Sequence, residues 1–572
     1  MARLPILFVC LIPAFAQTPC DNTPAYSPCE FVFELTGAEA ASHPDPYKDV
    51  EFEAEIRSPH FRTFLMPAFW DGGHKLILRF VPTESGQWIY KITSNVASID
   101  GKQGSFNAAE SDSPGYVHPA NVHHWWTDNK KPHLWMGFVA DRLGFTSADE
   151  FSGALATVTA EKYTHVRVSI LGDPGDRSRT MLGDKPNPQY LDELDRRIIE
   201  LQKKGVTTDL VLAPNPAYLK QLFPSWQTRE RFVRYLVGRY GSLNITWEGL
   251  MEFEDYLDSR ALLKEIGLAL KKYDSYDHPR STNAKITSSP LLGDGWMNFV
   301  ITNSIDDQIG SIEHQLYTVP FVGITTPEHL WNTAMNGQYP VIRGDAHGSA
   351  KAWYDFIADT RHWELEPYFD VDNSRCIALD GIEYINYITG DVPVEVEVEK
   401  HSYDIIWFNP LNGESVEEKK KYHGEHFTGD LPGKAHPWVL LIAREGRKES
   451  MLRSYKFDSR PVPVQEVEIL PAKVPYALAE PSTDPLIASL PTPYEVKLKR
   501  ETRATRQMMY LWTAEVAADG QGFRVLGTGA KGSMSISPTI ATNYPAVLSV
   551  RITALNANGK AYSMDKVYQL KK

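Results

Sequence analysis

The chain has 572 residues, room for about three to five domains. Its 42% hydrophobic and 23% charged residues are the balance of folded domains rather than disorder. Lys and Arg total 59 against 72 Asp and Glu, a net charge of -13 with no long basic block, which excludes a general nucleic-acid binder. Four Cys are too few for a disulfide scaffold, and no later stretch is apolar enough to cross a bilayer.

Arg3, the apolar run Leu4–Phe15 and the A-x-A site Ala14-Phe15-Ala16 read as a secretory signal peptide over residues 1–16, cleaved before Gln17. The mature chain is then secreted or periplasmic. Cys20 and Cys29, nine residues apart in an oxidising compartment, are expected to pair as a local disulfide. Cys376, in the apolar run Cys376-Ile377-Ala378-Leu379, is expected as a buried filler.

Residues 26–110 alternate as strands do, in Phe31–Leu35, Val50–Ile56 and Lys75–Phe80, and predict an immunoglobulin-like sandwich. From 117 to 365 short apolar runs alternate with amphipathic helices. Strands are expected at His133–Val139, His165–Leu171, Thr208–Leu212, Ile245–Leu250, Ile309–Leu316 and Pro340–Ile342, with helices at Tyr190–Lys204, Arg229–Tyr240 and Arg260–Tyr273. That alternation predicts a central (β/α)8-like, TIM-type barrel. No Gly-rich phosphate fingerprint follows any strand, so no nucleotide cofactor, nor any other, is expected. Strands return over 367–450 as a second sandwich. A linker over 457–493 carries eight Pro between 461 and 493, and a last all-β module spans 494–572.

A barrel of this kind builds its site at the C-terminal ends of its strands. The polar residues expected there are Asp141, Arg167, Trp247, Glu248, Glu252, Glu254, His314, Tyr317 and Asp345. Two carboxylates facing across a barrel mouth are what glycosidic hydrolysis requires, one to protonate the leaving oxygen and one to attack or to activate water. Nine of the 14 Trp fall between 125 and 363, Trp247 and Trp353 among them, an excess that suits sugar stacking although most single Trp are core. Arg167 either orients a carboxylate or makes a barrel salt bridge. His314 is either a subsite residue or a structural histidine. His123-His124 and His133 have no acidic or Cys partner at ligand spacing, so no metal site is expected. Gly-x-Ser-x-Gly elbows and Cys/His pairings are absent too.

Phe64–Gly72, Leu78–Pro82 and Gly86-Gln87-Trp88 resemble the Ig-like domain that precedes secreted bacterial glycoside hydrolases. The middle resembles the apiosidase-type clan-A barrels. Arg375–Ala378, Glu383–Tyr387 and Trp407–Gly413 resemble the β-sandwich that accompanies those barrels and is sometimes named a collagen-binding domain. The resemblance covers about residues 30–450. It implies a secreted enzyme cleaving a plant, algal or microbial polysaccharide. Its strand-four pattern, Trp-Glu-x-x-Asn-Glu, falls on Trp247, Glu248 and Glu252, with Glu252 as acid/base, Glu254 sharing its parity, and Met251 where the family has Asn. Its strand-seven nucleophile falls on Asp345, after Pro340–Gly344, where the family has Glu. About twenty residues then remain before the second sandwich, too few for a full eighth strand and helix, so the barrel is expected to be incomplete or irregular. An Asp for Glu widens a retaining pair of about 5–5.5 Å towards the roughly 6.5–9.5 Å of inverting enzymes. The rival reading is a non-catalytic carbohydrate- or matrix-binding protein on a degenerate barrel.

Overall fold

The computed structural model describes residues 20–251, 253, 259–303, 307–433 and 437–446, with the strands Thr492–Lys497, Met509–Val516, Gly522–Thr528, Lys531–Ile536, Ala546–Leu555 and Ala561–Leu570. The signal segment and nearly all of the Pro-rich linker lie outside these residues. The chain divides into two compact units, Met1–Ser113 and Pro114–Lys572.

The first unit is a two-sheet sandwich. Thr23–Pro24, Gln103–Ala109, Gly86–Ser94, Phe52–Arg57 and Thr63–Pro67 form one sheet, and Cys29–Glu34, Lys75–Phe80 and Phe69–Trp70 the other. Alternation sends Phe52, Ala54 and Ile56 inward and Glu53 and Arg57 outward. Between the sheets Phe80 meets Trp88 edge-on at 5.1 Å and Phe31 meets Tyr90 at 4.9 Å. Cys20 and Cys29 are joined in a disulfide, their Cα atoms 5.4 Å apart.

In the second unit eight parallel strands run in chain order around a barrel. They are β1 (Gly137–Val139), β2 (His165–Ser169), β3 (Thr207–Ala213), β4 (Ile245–Leu250), β5 (Arg280–Ser281), β6 (Val300–Thr302), β7 (Phe321–Thr325) and β8 (Tyr339–Ile342). β8 pairs with β1 and closes the ring. Gly137 makes that closure possible, since a Cβ there would stand 2.7 Å from Val341. Only β5 and β6 lack a ladder, and Arg280 and Asn298 bridge that seam through two hydrogen bonds of 2.7 and 3.0 Å.

Three expectations are corrected here. Ile309–Leu316 is not a strand: it lies in the helix α5, because Ile309, Ile312 and Leu316 repeat at helical rather than alternating spacing. The strand expected to be seventh is the eighth, so the barrel has its full strand count. The units missed by the sequence reading are β5, β6 and β7, the first two only two and three residues long, too short to show a period. The outer helices are α1 (Ala148–Ala160), α2 (Pro188–Lys203), α3 (Trp226–Tyr240), α4 (Ser259–Tyr273), α5 (Asp307–Leu316), α6 (Leu330–Met335) and α7 (Ser349–Ala358). α1 and α3 begin on capping boxes at Ser147 and Ser225.

A hairpin of Val117–Ala120 with His124–Thr127 precedes β1 and lies at the N-terminal end of the barrel. Trp125, Trp135 and Phe299 close that end, their ring centres 4.5 to 5.6 Å apart. A second sandwich follows from Glu366–Tyr368 to Trp438–Arg444, cored by Tyr384, Val396, Ile405, Trp407 and Leu440. Its longest strand, Val394–Phe408, absorbs a register shift between Glu397 and His401. Cys376 is buried in this core, and burial pushes its thiol well up. Strands Met509–Val516 and Gly522–Thr528 of the last module lie beside α5.

Candidate active site at the barrel mouth

Strand parity decides which side chains enter the barrel. Along β2 they are His165, Arg167 and Ser169, along β3 Asp209 and Val211, and along β4 Thr246, Glu248 and Leu250. They stack in polar layers above the aromatic floor. In the lower layer His165 Nδ1 lies 2.8 Å from Asp209 Oδ1, which also accepts from Thr246 Oγ1 at 2.8 Å. His133 Nε2 lies 3.0 Å from the other ring nitrogen of His165, and Trp135 stacks on the face of that ring. Burial pushes Asp209 up to about 8, with Thr246 and Arg167 pulling against it, and holds His165 well below its ordinary value.

The upper layer is organised by Arg167. Its Nε donates to both oxygens of Glu248 at 2.9 Å and its Nη1 to Asp141 at 2.5 Å. Both partners stand at or near strand ends, Glu248 on β4 and Asp141 just beyond β1. Arg167 is buried, which by itself opposes its charge, but Glu248 and Asp141 outweigh that and keep it a cation. Burial lifts Glu248 to about 7 against the pull of Arg167. Asp141 keeps 29% of its side chain exposed, at the rim. Nη2 of Arg167 is buried and has no hydrogen-bond partner among the described residues. It is an open donor below the mouth.

The remaining candidates fall as follows. Glu252 and Glu254 lie outside the described residues. Asp345 lies beyond β8, not at the end of strand seven; its side chain is 64% exposed and accepts the backbone N–H of His347 at 3.0 Å. Trp247 does not line the site: one residue from Glu248, it points to the outside of the barrel, where its indole N–H donates to Asp274 at 3.1 Å. Trp353 is buried on α7 beside a cavity of about 30 Å³ that it shares with His124, Tyr339 and His362, away from the mouth. His314, near the end of α5, and Tyr317 both precede β7 and lie at the opposite, N-terminal end. There the acidic partner that His123 and His124 lack at short spacing is supplied by Glu366, 243 residues beyond His123. Sequence spacing carries no signal for such a cluster, which only barrel closure assembles.

Residues 22–95 match the family described as Domain of unknown function (DUF5060). No curated protein sequence matches the chain. Among solved structures the chain is similar to a Bacteroides vulgatus protein provisionally described as a glycoside hydrolase, at 16% identity and a TM-score of 0.62, over 74% of this chain and 100% of that one. That likeness is one of fold. More distant are an endo-1,4-beta-mannanase from Rhizomucor miehei, at 12% identity and a TM-score of 0.33 over 40% of this chain and 90% of that one, and a beta-glucuronidase from Bacteroides uniformis, at 9% and 0.32 over 96% and 80%.

Proposed function

We propose that the chain is an exported glycoside hydrolase that cleaves a polysaccharide at the C-terminal mouth of its barrel. The observation that carries this reading is the Arg167 clamp: a buried cation fixes Asp141 and Glu248 below the mouth and leaves Nη2 open beside them. A preorganised donor in a low-dielectric site holds a sugar hydroxyl or a reacting carboxylate without reorganising. Glu252, four residues after Glu248 and of the same parity in sequence, is the proposed general acid, with Glu254 in reserve. Asp345 is the proposed second carboxylate. It is one methylene shorter than the family's Glu, and as a water-activating base it would give inversion at the anomeric carbon. The Cys20–Cys29 disulfide supports export, as does the signal-like segment before it.

The test is release of reducing ends from a polysaccharide panel, with Glu252→Gln as control and NMR of the first-formed anomer. Turnover by the native chain and loss of about 10²–10⁴-fold in Glu252→Gln are expected. The binding-protein reading has one specific point in its favour: β7 ends at Thr325 without a carboxylate in the strand, where clan-A barrels carry their nucleophile, and the next one, Glu328, is exposed in the short turn that follows. Retention of polysaccharide on an affinity gel with no hydrolysis of any panel member would favour it.

A further inference from the structure

At the N-terminal end of the barrel three imidazoles surround one carboxylate. His123 Nδ1 is 3.0 and 3.1 Å from the two oxygens of Glu366, His314 Nδ1 is 3.2 Å from Oε2, and His124 Nε2 is 3.4 Å from Oε1. Among the described residues every ion-pair partner of Glu366 is an imidazole.

Hydrogen bonds leave several ring nitrogens of this cluster unused, and the ligand atoms of His123, His314 and Glu366 all lie within 4.8 Å of one another. His123 Nε2 lies 2.7 Å from the carbonyl oxygen of Tyr317, which only accepts, so the proton of a neutral His123 sits on Nε2. Its Nδ1 then turns a lone pair on the carboxylate. His314 is fully buried and neither of its ring nitrogens has a hydrogen-bond partner, although its ring centre is only 3.8 Å from that of His123. His124 repeats the pattern: Nδ1 is engaged by the Tyr339 hydroxyl at 2.8 Å and Nε2 is buried without a partner. Protonating both rings, which are tilted by 43° with their centres 3.8 Å apart, would set like charges in close contact.

We propose that His123, His314 and Glu366, with His124 as fourth donor, bind a divalent transition-metal ion of the zinc type. The spacing fits. For bonds of about 2.0–2.1 Å the edge of a tetrahedron is about 3.3–3.4 Å, close to the 3.0–3.4 Å from each imidazole nitrogen to the carboxylate, and the ligand atoms of His123, His314 and Glu366 all lie within 4.8 Å of one another. Imidazole and carboxylate donors suit zinc over calcium or magnesium. The outer partners are those metal-bound histidines use, a backbone carbonyl for His123 and a phenol for His124, which fix the free nitrogen towards the ion. Glu366 keeps 40% of its side chain exposed, which gives the ion a way in. The ion would tie the hairpin before β1, the helix α5 and the first strand of the second sandwich to one point.

The test uses the purified full chain, stripped with a chelator and returned to metal-free buffer at pH 7.5. Titration with ZnCl2 in a calorimeter should show one tight site. CoCl2 should give the visible bands of a four-coordinate cobalt centre. Glu366→Gln, which keeps the shape, and His314→Asn should each weaken zinc binding by more than the roughly 100-fold upper end for outer-shell changes. His426→Asn, at an exposed histidine beside Glu397, should leave it unchanged. Should His314→Asn fail to fold, Glu366→Gln decides. No zinc heat in the native chain, or equal affinity in Glu366→Gln, overturns the proposal and leaves a protonated His123–Glu366 ion pair.

Discussion

The two ends of the barrel hold their carboxylates in opposite ways. At the mouth Glu248 and Asp141 share a permanent cation, Arg167, whose Nε–H is divided between both oxygens of Glu248 while Nη1 reaches Asp141. At the base the ion-pair partners of Glu366 among the described residues are imidazoles, each able to give up its charge. A guanidinium settles the electrostatics of its end of the barrel when the chain folds. Imidazoles leave theirs to be settled by a proton or an ion. The mouth is therefore preorganised towards a neutral or anionic reacting group, and the base towards a cation.

The largest effect expected is on chemistry at the mouth. If Glu252 is the acid proposed above, Glu252→Gln should lower turnover by about 10²–10⁴-fold while the melting temperature changes little, because Gln matches Glu in size and shape. A variant with native turnover would move the proposed acid to Glu254 or favour the binding protein. Next comes the clamp. Arg167→Met leaves Glu248 buried without its cation and should cost about 3–5 kcal/mol in chemical denaturation. Adding Glu248→Leu should recover part of that loss, since the orphaned charge goes with its partner. A double variant no more stable than the single one would show that Arg167 acts by packing, and the contrast between the two ends would fail.

The difference between the ends also explains what could be read from the sequence. Arg167, Asp141 and Glu248 sit on or just past strands whose apolar runs are long enough to recognise, so the strand-end rule points to all three from sequence. β4 was legible because Ile245–Leu250 is wholly buried. β5 and β6 were not, because closing a barrel asks only two or three residues of each. Missing them shifted the strand count and put Asp345 at the wrong strand. The same shift sent His314 and Tyr317 to the mouth, because a helix read as a strand reverses which end of the segment faces up. The base cluster was illegible for another reason: Glu366 belongs to the second sandwich, and only tertiary closure brings it to His123.

Inside the barrel Asp209 links the two ends, and its burial predicts a slope in stability. Its folded value, about 8, lies above the ordinary 3.8, so between those limits the folded chain holds a proton the unfolded chain has released. Stability from this group is full below about pH 4, falls as pH rises, and is gone above 8. His165, whose value burial lowers, works in the other direction but only below its unfolded value of about 6.5. Between pH 6.5 and 8 the native chain should therefore lose up to about 1.4 kcal/mol per pH unit relative to Asp209→Asn. Parallel urea-denaturation profiles for the two proteins over that range would contradict it.

The smallest effect separates the lining of the mouth from its wall. Trp247 adjoins Glu248 in sequence, but alternation turns it to the outside, against Asp274. Asp274 also accepts from the backbone N–H of His278 at 3.0 Å and lies 3.1 Å from its ring, so loss of the indole N–H leaves the carboxylate with other partners. Trp247→Phe should therefore cost about 0.5–1.5 kcal/mol for the hydrogen bond, plus some loss of packing from the smaller ring, with KM for any polysaccharide that is cleaved unchanged. A stacking tryptophan at a sugar subsite would behave the other way, with KM rising and stability held. Measuring both on one variant distinguishes them: a rise in KM without a loss of stability would return Trp247 to the site and reverse the strand parity on which Arg167 and Glu248 are assigned to the interior.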